Sequence, residues 1–264
     1  MLSLLNMRNL FLQRLRETRP LNIAHRGARS HAPENTLAAF EAALAHGADG
    51  IEFDVRLCGS HDWVVFHDQR LSRTTNGRGY IRITSLEKIR RLDAGIKFSE
   101  QFRREPVPTL AEVLAMARGR LLLNIEVKAM SNIQKRKLAA LLDLLYEFNA
   151  ANKCVLSSFN PLVLRKLSTL APAIPTGLIL TGSRLHGRTG APFSRITGVQ
   201  GLHVHLNVVN QRFVDKVRER GLYLLVWGAN TKSEFREMIS FGVDGIITDE
   251  PLELSRMLGK KSYA

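Results

Sequence analysis

The sequence predicts a single α/β barrel with one inserted segment, and three observations support this fold class. The chain has 264 residues, of which 45% are hydrophobic, and roughly 250 residues is the usual size of a barrel of eight βα units. Short β-branched segments alternate with amphipathic helical segments, as in βα units around a parallel sheet. Eight strand segments of this kind are present. A TIM-type (β/α)8 barrel is therefore expected over residues 21–264, after a basic extension at residues 1–20.

The predicted barrel strands are short, aliphatic, and followed by segments of helical periodicity. They are Asn22–His25, Gly50–Val55, Leu121–Val127, Cys154–Ser158, Thr176–Leu180, Gly201–His205, Tyr223–Trp227 and Gly245–Thr248. Asn35 is expected to cap the helix after the first strand, and Thr109 the helix before the third. The connection over residues 181–200 is poor in helical pattern.

One segment, Trp63–His67, breaks this alternation. It has the composition of a strand, but only a short turn separates it from the second barrel strand. A parallel return needs a dozen or more residues, so the two strands are expected to form an antiparallel hairpin. A turn centred between Gly59 and Ser60 would place His67 opposite Glu52. With the polar segment that follows, the hairpin forms an insertion at about residues 57–108 that is expected to lie over the barrel mouth.

The composition indicates which partners and which cellular compartment to expect. There are 38 Lys and Arg residues against 24 Asp and Glu, a net charge of +14, which favours anionic partners. The sequence lacks recognisable nucleic-acid-binding motifs, so nucleic acid is not an expected partner. Cys58 and Cys154 do not have the spacing of a metal motif. They are expected to be free thiols in a reducing compartment, so a cytoplasmic protein is expected.

The first twenty residues form a basic, amphipathic segment. Four arginines interrupt its apolar residues, so it lacks the ~18-residue apolar run of a membrane span, and it has no cleavage site typical of a secretory signal. Leu4, Leu5, Leu12 and Leu15 would share one face of a helix. A helix that caps the bottom of the barrel is the favoured interpretation. Peripheral membrane contact and a disordered or targeting segment are the alternatives.

Acidic side chains near the C-terminal ends of two predicted strands form a candidate metal site, because the βα loops of a barrel build its active site there. Glu52 and Asp54 share one face of the second strand, and Glu126 and Lys128 share one face of the third. Three carboxylates buried together are costly unless a cation binds them. Oxygen ligands predict one divalent cation, Mg²⁺, Ca²⁺ or Mn²⁺, rather than Zn²⁺. Ion pairs with Arg26 or Lys128 are the structural alternative.

Two histidines are candidate acid and base groups. His25 ends the first strand, and the hairpin carries His67 towards the same rim; each could also be a hydrogen-bonded core residue. His203 and His205 share one face of a strand and could line either the pocket or a polar layer of the barrel. The other histidines are expected in loops or on the surface: His31, His46, His61 and His186.

The motifs AHRG, PENT, GADGIEFDV, VFHD, NIEVK and DGIITDEP follow one another between about Leu21 and Glu253. This pattern resembles the glycerophosphodiester phosphodiesterase family. The resemblance implies a TIM-type barrel that cuts a glycerophosphodiester, the expected small-molecule partner, into sn-glycerol 3-phosphate and an alcohol. It also implies roles by motif: acid and base at His25 and His67, metal ligands at Glu52, Asp54 and Glu126, and phosphate contacts at Arg26 and Lys128.

Two positions depart from the family pattern. The segment that usually reads W-T-x-N begins here with Trp227, an expected substrate-binding residue, and Gly228, which removes a hydroxyl near the glycerol moiety. The turn that usually reads T-K-D-G is Cys58-Gly59-Ser60-His61. A turn centred on the family's glycine would set His67 opposite Asp54 instead of Glu52. Both registers keep His67 on the carboxylate face.

The resemblance suggests a route in which the substrate's own glycerol hydroxyl attacks phosphorus, one histidine accepts its proton, and the other protonates the leaving alcohol. Water then opens the cyclic phosphate. Direct attack by a metal-bound water is the alternative route. Two other functions are kept as alternatives: a phospholipase-D-like activity on lysophospholipids at a membrane surface, and a non-catalytic phosphodiester-binding protein. The oligomeric state is left open.

Overall fold

The computed structural model describes residues 9–18, 20–130, 132–181 and 198–260. Nine strands lie in these residues: β1 (Leu21–His25), β2 (Gly50–Leu57), β3 (Trp63–Val65), β4 (Leu122–Val127), β5 (Cys154–Ser158), β6 (Thr176–Leu180), β7 (Gly201–His205), β8 (Tyr223–Trp227) and β9 (Gly245–Thr248). All except β3 are parallel and follow the order β1, β9, β8, β7, β6, β5, β4, β2, and pairing of β1 with β2 closes the ring. The predicted TIM barrel is confirmed, with strand ends within two residues of those expected.

Most helices of the described residues follow a barrel strand and form the outer layer; the first precedes β1, and the third belongs to the insertion. They are α1 (Leu10–Glu17), α2 (Leu37–Ala45), α3 (Leu86–Arg90), α4 (Leu110–Ala117), α5 (Lys135–Glu147), α6 (Pro161–Leu170), α7 (Gln211–Glu219), α8 (Lys232–Phe241) and α9 (Pro251–Met257). Thr109 caps α4 in a capping box, as predicted. The prediction that Asn35 caps α2 is wrong, because Thr36 is the N-cap residue and its hydroxyl accepts a hydrogen bond from Ala39 N.

Each long helix buries one apolar stripe against the barrel wall. In α5 the buried residues Leu138, Leu141, Leu142 and Leu145 follow the i, i+3, i+4, i+7 spacing of a single face. The strands, covered on both sides, are almost continuously buried, as expected for a parallel sheet. Among the described residues no helix is both long and apolar enough to span a bilayer.

Helix α1 closes the N-terminal end of the barrel. Phe11, Leu12 and Leu15 are buried in a cluster with residues of the barrel strands, among them Leu225. The Asn9 side chain caps the helix and also donates to the carbonyl oxygen of Cys154 at 3.2 Å. The apolar face of α1 is therefore occupied by the barrel. Leu4 and Leu5, expected on the same face, lie outside the described residues.

The β2–β3 hairpin forms as predicted, but its predicted register is wrong. Val55 lies opposite Val65 and Leu57 opposite Trp63, so the turn is centred on Ser60 and both expected pairings of His67 are displaced by one residue. The loop has five residues, with His61 at φ 70°. A one-residue shift should turn a strand residue to the other face. His67 escapes this consequence because β3 ends at Val65.

The hairpin takes the place of β1 at the barrel mouth. β1 pairs with β2 only as far as Glu52, and β3 pairs with β2 from Val55 onwards. The chain then runs back towards the end of β1, where Phe66 N donates to Asp54 O at 2.9 Å. The next residue, His67, therefore arrives beside the carboxylates without belonging to the strand ladder.

The insertion has a small apolar core of its own. Its irregular part returns to the barrel at a β-bridge between Val64 and Thr109. Arg90 ties this core to the outer layer by donating to Val107 O and pairing with Glu112. The insertion core comprises Cys58, Val64, Phe66, Leu71, Ile81, Ile89, Ala94 and Val107. Cys58 and Cys154 are both free and buried.

A polar layer fills the barrel interior below the mouth. The His203 ring is buried, with Nε2 3.2 Å from Tyr223 Oη and Nδ1 3.5 Å from Asn124 Nδ2. Gly177 and Gly201 make room for these rings, because a Cβ at either position would lie within 2.3 Å of the His203 or Tyr223 ring. His203 therefore belongs both to a polar barrel layer and to the pocket lining.

The buried His203 ring should make the protein sensitive to acid. Burial lowers its pKa from 6.5 to about 3, so below pH 6.5 the unfolded chain binds a proton that the folded protein excludes. The free energy of unfolding should then fall by about 1.4 kcal/mol per pH unit from this group alone. Denaturant titrations should show that the free energy of unfolding of the wild type falls, relative to that of His203→Gln, between pH 6.5 and pH 4. Parallel pH curves would contradict this assignment.

Other histidines were expected in loops or on the surface. His31 and His61 are exposed, as expected. His46 was expected in a loop or on the surface. It lies in the turn that ends α2, but its side chain is buried and its ring lies edge-on to His31 at 4.6 Å. His186 lies outside the described residues.

Candidate active site

A cavity of about 180 Å³ opens at the C-terminal ends of the barrel strands. Seven of the eight predicted site residues line it: His25, Arg26, Glu52, His67, Glu126, Lys128 and Trp227. The eighth, Asp54, does not line the cavity: it is 1% exposed and lies in a cluster with Glu52 and Glu126, which do. The structure thus brings all eight predicted residues to one place.

Three carboxylates converge because of the sheet register. Asp54 of β2 lies opposite Glu126 of β4, and Glu52 precedes Asp54 on the same face. Each contributes one oxygen to a group in which all three atoms lie within 4.8 Å of one another. All three side chains are buried, so their negative charges face one another with little water to screen them.

The electrostatics of this cluster fit a hard divalent cation. Burial and the charges of Asp54 and Glu126 raise the pKa of Glu52 well above its ordinary value. Burial and the charge of Asp54 raise the pKa of Glu126 to about 7. The Oδ1 atom of Asp54 is buried, and its partner among the described residues is the ammonium group of Lys128, at 3.1 Å. A set of oxygen donors that cannot all be ionised without a counter-charge suits Mg²⁺, Ca²⁺ or Mn²⁺.

Two basic side chains pair with these acids, so the ion pairs that were the alternative to a metal site are also present. Lys128 Nζ lies 2.6 Å from Glu126 Oε1 and 3.1 Å from Asp54 Oδ1, and Arg26 Nε lies 3.4 Å from Asp54 Oδ2. Although burial opposes ionisation, the charges of Lys128 and Arg26 hold the pKa of Asp54 below its ordinary value. Two cations against three acids still leave one negative charge unmatched.

Arg26 has an unusual backbone at this rim. Its φ of 55° lies in the left-handed region, which costs a non-glycine residue roughly 1–3 kcal/mol. Two hydrogen bonds hold it there: Arg26 N donates to Glu52 Oε2 at 3.1 Å, and Arg26 O accepts from Asn35 N at 2.9 Å. This conformation directs the chain away from β1 while its guanidinium stays near Asp54.

Asn35 is a site residue that the sequence analysis misassigned. Its side chain donates to Asp54 Oδ2 at 2.9 Å and accepts from Asp54 N at 3.3 Å, so it fixes both the backbone and the carboxylate of that residue. It is buried and has a φ of 60°. Asn is common at helix N-caps, which explains the wrong assignment.

Asp249, immediately after β9, holds His25 and received no role from the sequence. Asp249 Oδ1 lies 2.7 Å from His25 Nδ1. Asn230 fixes Asp249 in turn, accepting from its backbone N–H at 2.8 Å and donating to its carboxylate at 3.3 Å. Burial opposes ionisation, but the hydrogen bond and charge of His25 hold the pKa of Asp249 below its ordinary value. Its position at a strand end was a usable signal.

His67 is held by a chain of ion pairs that crosses from the barrel to the insertion. Asp68 Oδ1 lies 2.5 Å from His67 Nδ1, and Arg73 donates to both Asp68 and Glu34. Glu34 also accepts from Arg26 Nη1 at 2.9 Å. The ion-pair chain Arg26–Glu34–Arg73–Asp68–His67 therefore connects the predicted phosphate ligand to the predicted acid or base. Despite its burial, Glu34 has a pKa of about 2 because the two arginines bind it.

The two histidines have the same arrangement. An aspartate binds Nδ1 of each ring, which fixes the ring's orientation and favours a proton on that atom. The other ring nitrogen is then available to a substrate. His25 Nε2 lies 4.0 Å from Glu52 Oε2, at the edge of the carboxylate cluster.

Loss of the ion-pair chain should slow turnover without unfolding the protein. Arg73→Gln removes the link between Glu34 and Asp68, so His67 loses its fixed position; small misplacements of this kind cost about 10-fold to 10²-fold in kcat. The side chain is 46% exposed, so stability should change by less than about 1 kcal/mol. Arg70→Gln is the matched control. Within the described residues, the Arg70 side chain interacts with Tyr80 and takes no part in the ion-pair chain. Equal kcat in both variants would contradict a positioning role.

Part of the cavity wall is apolar. Phe159, Ile179, Ile247 and Trp227 lie along it. Beside Trp227, Gly228 has a φ of 90°, and a Cβ there would lie 2.8 Å from His205 Nε2. The His205 ring therefore occupies the space beside Gly228 where the side chain of the family's usual threonine would begin.

Comparison with known proteins identifies the family. The model of the glycerophosphoryl diester phosphodiesterase family matches residues 25–253. The chain belongs to this family. A glycerophosphodiester phosphodiesterase of Caldanaerobacter subterraneus is 37% identical over 244 residues, which cover 91% of this chain and 98% of the relative. Another of Bacillus subtilis is 32% identical over 247 residues, with coverages of 88% and 84%.

Solved structures agree with this membership in the glycerophosphoryl diester phosphodiesterase family. A phosphodiesterase of Oleispira antarctica in complex with the product sn-glycerol-3-phosphate superposes with a TM-score of 0.86 at 29% identity, covering 93% of this chain and 99% of that chain. The predicted family and fold class are confirmed, and a glycerophosphodiester phosphodiesterase activity is supported.

Proposed function

We propose that the protein hydrolyses glycerophosphodiesters to sn-glycerol 3-phosphate and an alcohol, with the assistance of one divalent cation. The observation that carries the proposal is the pair of His–Asp contacts beside three converging carboxylates in one cavity. The related structure from Oleispira antarctica contains sn-glycerol-3-phosphate, which supports this product. Membership in the family supports the substrate class.

Glu52, Asp54 and Glu126 would hold the cation, for which Mg²⁺ and Ca²⁺ are the first candidates and Mn²⁺ the next. When bound, the cation would neutralise charge on the phosphodiester and on the group that attacks it. Arg26 and Lys128 lie beside the carboxylates and would donate to the non-bridging phosphate oxygens. Such preorganised donors act strongly in a cavity with little water.

His25 and His67 move the protons. One ring accepts the proton of the attacking glycerol hydroxyl as its oxygen bonds to phosphorus, and the other donates a proton to the oxygen of the leaving alcohol. In the second step a water molecule gives its proton to one histidine and attacks the cyclic phosphate, whose ring oxygen takes up a proton and becomes a glycerol hydroxyl again. Direct attack by water on the diester is the alternative. Trp227 and the apolar wall would pack against the carbon atoms of the glycerol moiety.

A substrate panel tests this function. Purified protein is mixed with several glycerophosphodiesters and the release of glycerol 3-phosphate is measured, first after EDTA treatment and then with Mg²⁺, Ca²⁺ or Mn²⁺ added back. We expect loss of activity with EDTA and recovery with at least one cation. Unchanged activity in EDTA would contradict the metal assignment, and absence of glycerol 3-phosphate under all conditions would contradict the reaction.

The alternative of a lysophospholipid-cleaving enzyme at a membrane surface draws no support from α1. Its apolar face is buried against the barrel, at the end opposite the cavity. A cytoplasmic location stays a prediction.

A further inference from the structure

We propose that a second cavity beside the carboxylate cluster receives the alcohol half of the substrate and favours an alcohol that carries a negative charge. This inference rests on the proposed hydrolysis and adds a preference that neither the fold nor the family membership supplies. The cavity has a volume of about 740 Å³. It lies between the insertion and the segment that follows β4.

The two cavities are neighbours around the place where the phosphate would bind. Lys128 lines both. Arg56, which lines the larger cavity, follows Glu52 and Asp54 on the same face of β2, and its Nε atom donates to His67 O at 2.7 Å. A diester whose phosphate lies at Lys128, with its glycerol half in the smaller cavity, would direct its alcohol half past Arg56 into the larger one.

The larger cavity has an unbalanced positive charge. Arg56, Arg82 and Lys137 line it together with Lys128, and its described lining contains no Asp or Glu. None of the first three forms an ion pair within the described part of the chain, whereas Arg26, Arg73 and Lys128 are all paired. These unpaired charges attract an anionic group and repel a cationic one.

Arg56 is the most informative of these residues because it is partly buried. Its Nε atom donates to a carbonyl oxygen, that of His67, and its partly buried guanidinium forms no ion pair with a carboxylate of the described residues. An anionic group on the substrate would supply the missing partner by accepting from the two terminal nitrogens, Nη1 and Nη2.

Other features of the lining argue against a cationic alcohol such as choline. Recognition of a quaternary ammonium group uses the faces of several aromatic rings, and Trp63 is the one aromatic residue of the described lining. Its indole N–H already donates to Lys137 O at 3.1 Å. Ile81, Met130 and Ile133 supply an apolar wall, and the volume is in the usual range for sites that bind ring-sized ligands.

A matched pair of substrates tests the preference. sn-Glycero-3-phosphoinositol and its 4-phosphate differ only by one phosphate group on the alcohol half, and sn-glycero-3-phosphocholine supplies a cationic alcohol. We expect kcat/KM for the 4-phosphate to exceed that for the unphosphorylated inositol diester by about 10-fold or more at low ionic strength, with the choline diester lowest, and the ratio to decrease as salt screens the charges. A ratio near one would overturn the inference.

Charge-removing variants identify the source of the preference. The double variant Arg82→Gln with Lys137→Gln should bring the ratio towards one. The matched control, Arg136→Gln with Lys88→Gln, removes the same charge from α5 and α3 at residues outside the cavity lining, and should keep the ratio. An equal ratio in both double variants would overturn the inference. If none of the three diesters is hydrolysed, the proposed function itself fails, which is distinguishable from hydrolysis without preference.

Discussion

Replacement of His25 or His67 by alanine is expected to lower kcat by roughly 10²–10⁴-fold, because each variant removes one of the two proton-transfer groups. Asp249 holds one ring and Asp68 the other through Nδ1, so neither histidine has a neighbour in the same position to replace it. Both side chains lie at the cavity rim with 21% and 30% exposure, so the loss of stability should be small. Steady-state kinetics and thermal unfolding of both variants would measure these effects.

The chemistry of the leaving group should separate the acid from the base. A glycerophosphodiester with a p-nitrophenol leaving group needs little protonation, so the variant that lacks the acid should recover much of its activity on this substrate, and the variant that lacks the base should not. His31→Ala is the control, because His31 is an exposed histidine outside the cavity lining. Near-normal turnover in His25→Ala or His67→Ala would remove that histidine from the mechanism.

The barrel could be predicted from the sequence because its signals are local. Each strand is a short aliphatic segment between turn residues, and the helices show apolar periodicity such as that of α5. Parallel strands place all their C-terminal ends at one rim, so Glu52, Asp54 and Glu126 could be brought together without knowledge of the tertiary contacts.

The hairpin register could not be predicted, because it depends on whether the loop between the two strands has an even or an odd number of residues. Gly59 and the family's usual turn suggested two centres, each with an even number of loop residues, but His61 adopts a positive φ and the loop has five. His67 nevertheless reaches the carboxylates because the chain leaves the ladder at Val65. The predicted pairings of His67 were therefore wrong, although His67 lines the same cavity as Glu52 and Glu126.

The residues that orient the site were harder to find than those that act in it. Glu34 and Arg73 are 39 positions apart and contact each other across the barrel rim and the insertion. The irregular stretch that carries Arg73 has no periodicity from which this contact could be inferred. Asn35 has the residue type of a helix cap, and only the structure shows its amide on Asp54. Asp249 could have been predicted as a site residue, since it immediately follows β9.

One histidine of the proposed pair belongs to the barrel and the other to the insertion, and the ion-pair chain from Arg26 to His67 connects the two parts. Asp249 and Asn230 fix His25 through short contacts at the rim. His67 depends on the hairpin, Asp68 and Arg73. Variants of the insertion should therefore change turnover through His67 while they leave the geometry of His25 intact.

Glu126→Gln is expected to weaken cation binding by more than about 10²-fold, since even residues that only support a metal ligand cost 10–100-fold. The same change should raise the Tm in EDTA above pH 7. Burial and the charge of Asp54 raise the pKa of Glu126 to about 7, above its unfolded value, so the ionised form destabilises the metal-free fold and the amide removes that cost.

These opposite effects separate a metal ligand from a structural carboxylate. A carboxylate retained only for its pair with Lys128 should lose stability when it becomes an amide, and should leave cation binding unchanged. Calorimetric titration with Mg²⁺, Ca²⁺ and Mn²⁺ measures the affinity directly, and thermal unfolding in EDTA measures the stability. Asn35→Ala, which loosens Asp54 without removing a ligand, should weaken binding by the smaller 10–100-fold factor. Glu41→Gln, which removes an exposed carboxylate paired with Arg120, should change neither, and an unchanged affinity in Glu126→Gln would exclude Glu126 as a ligand.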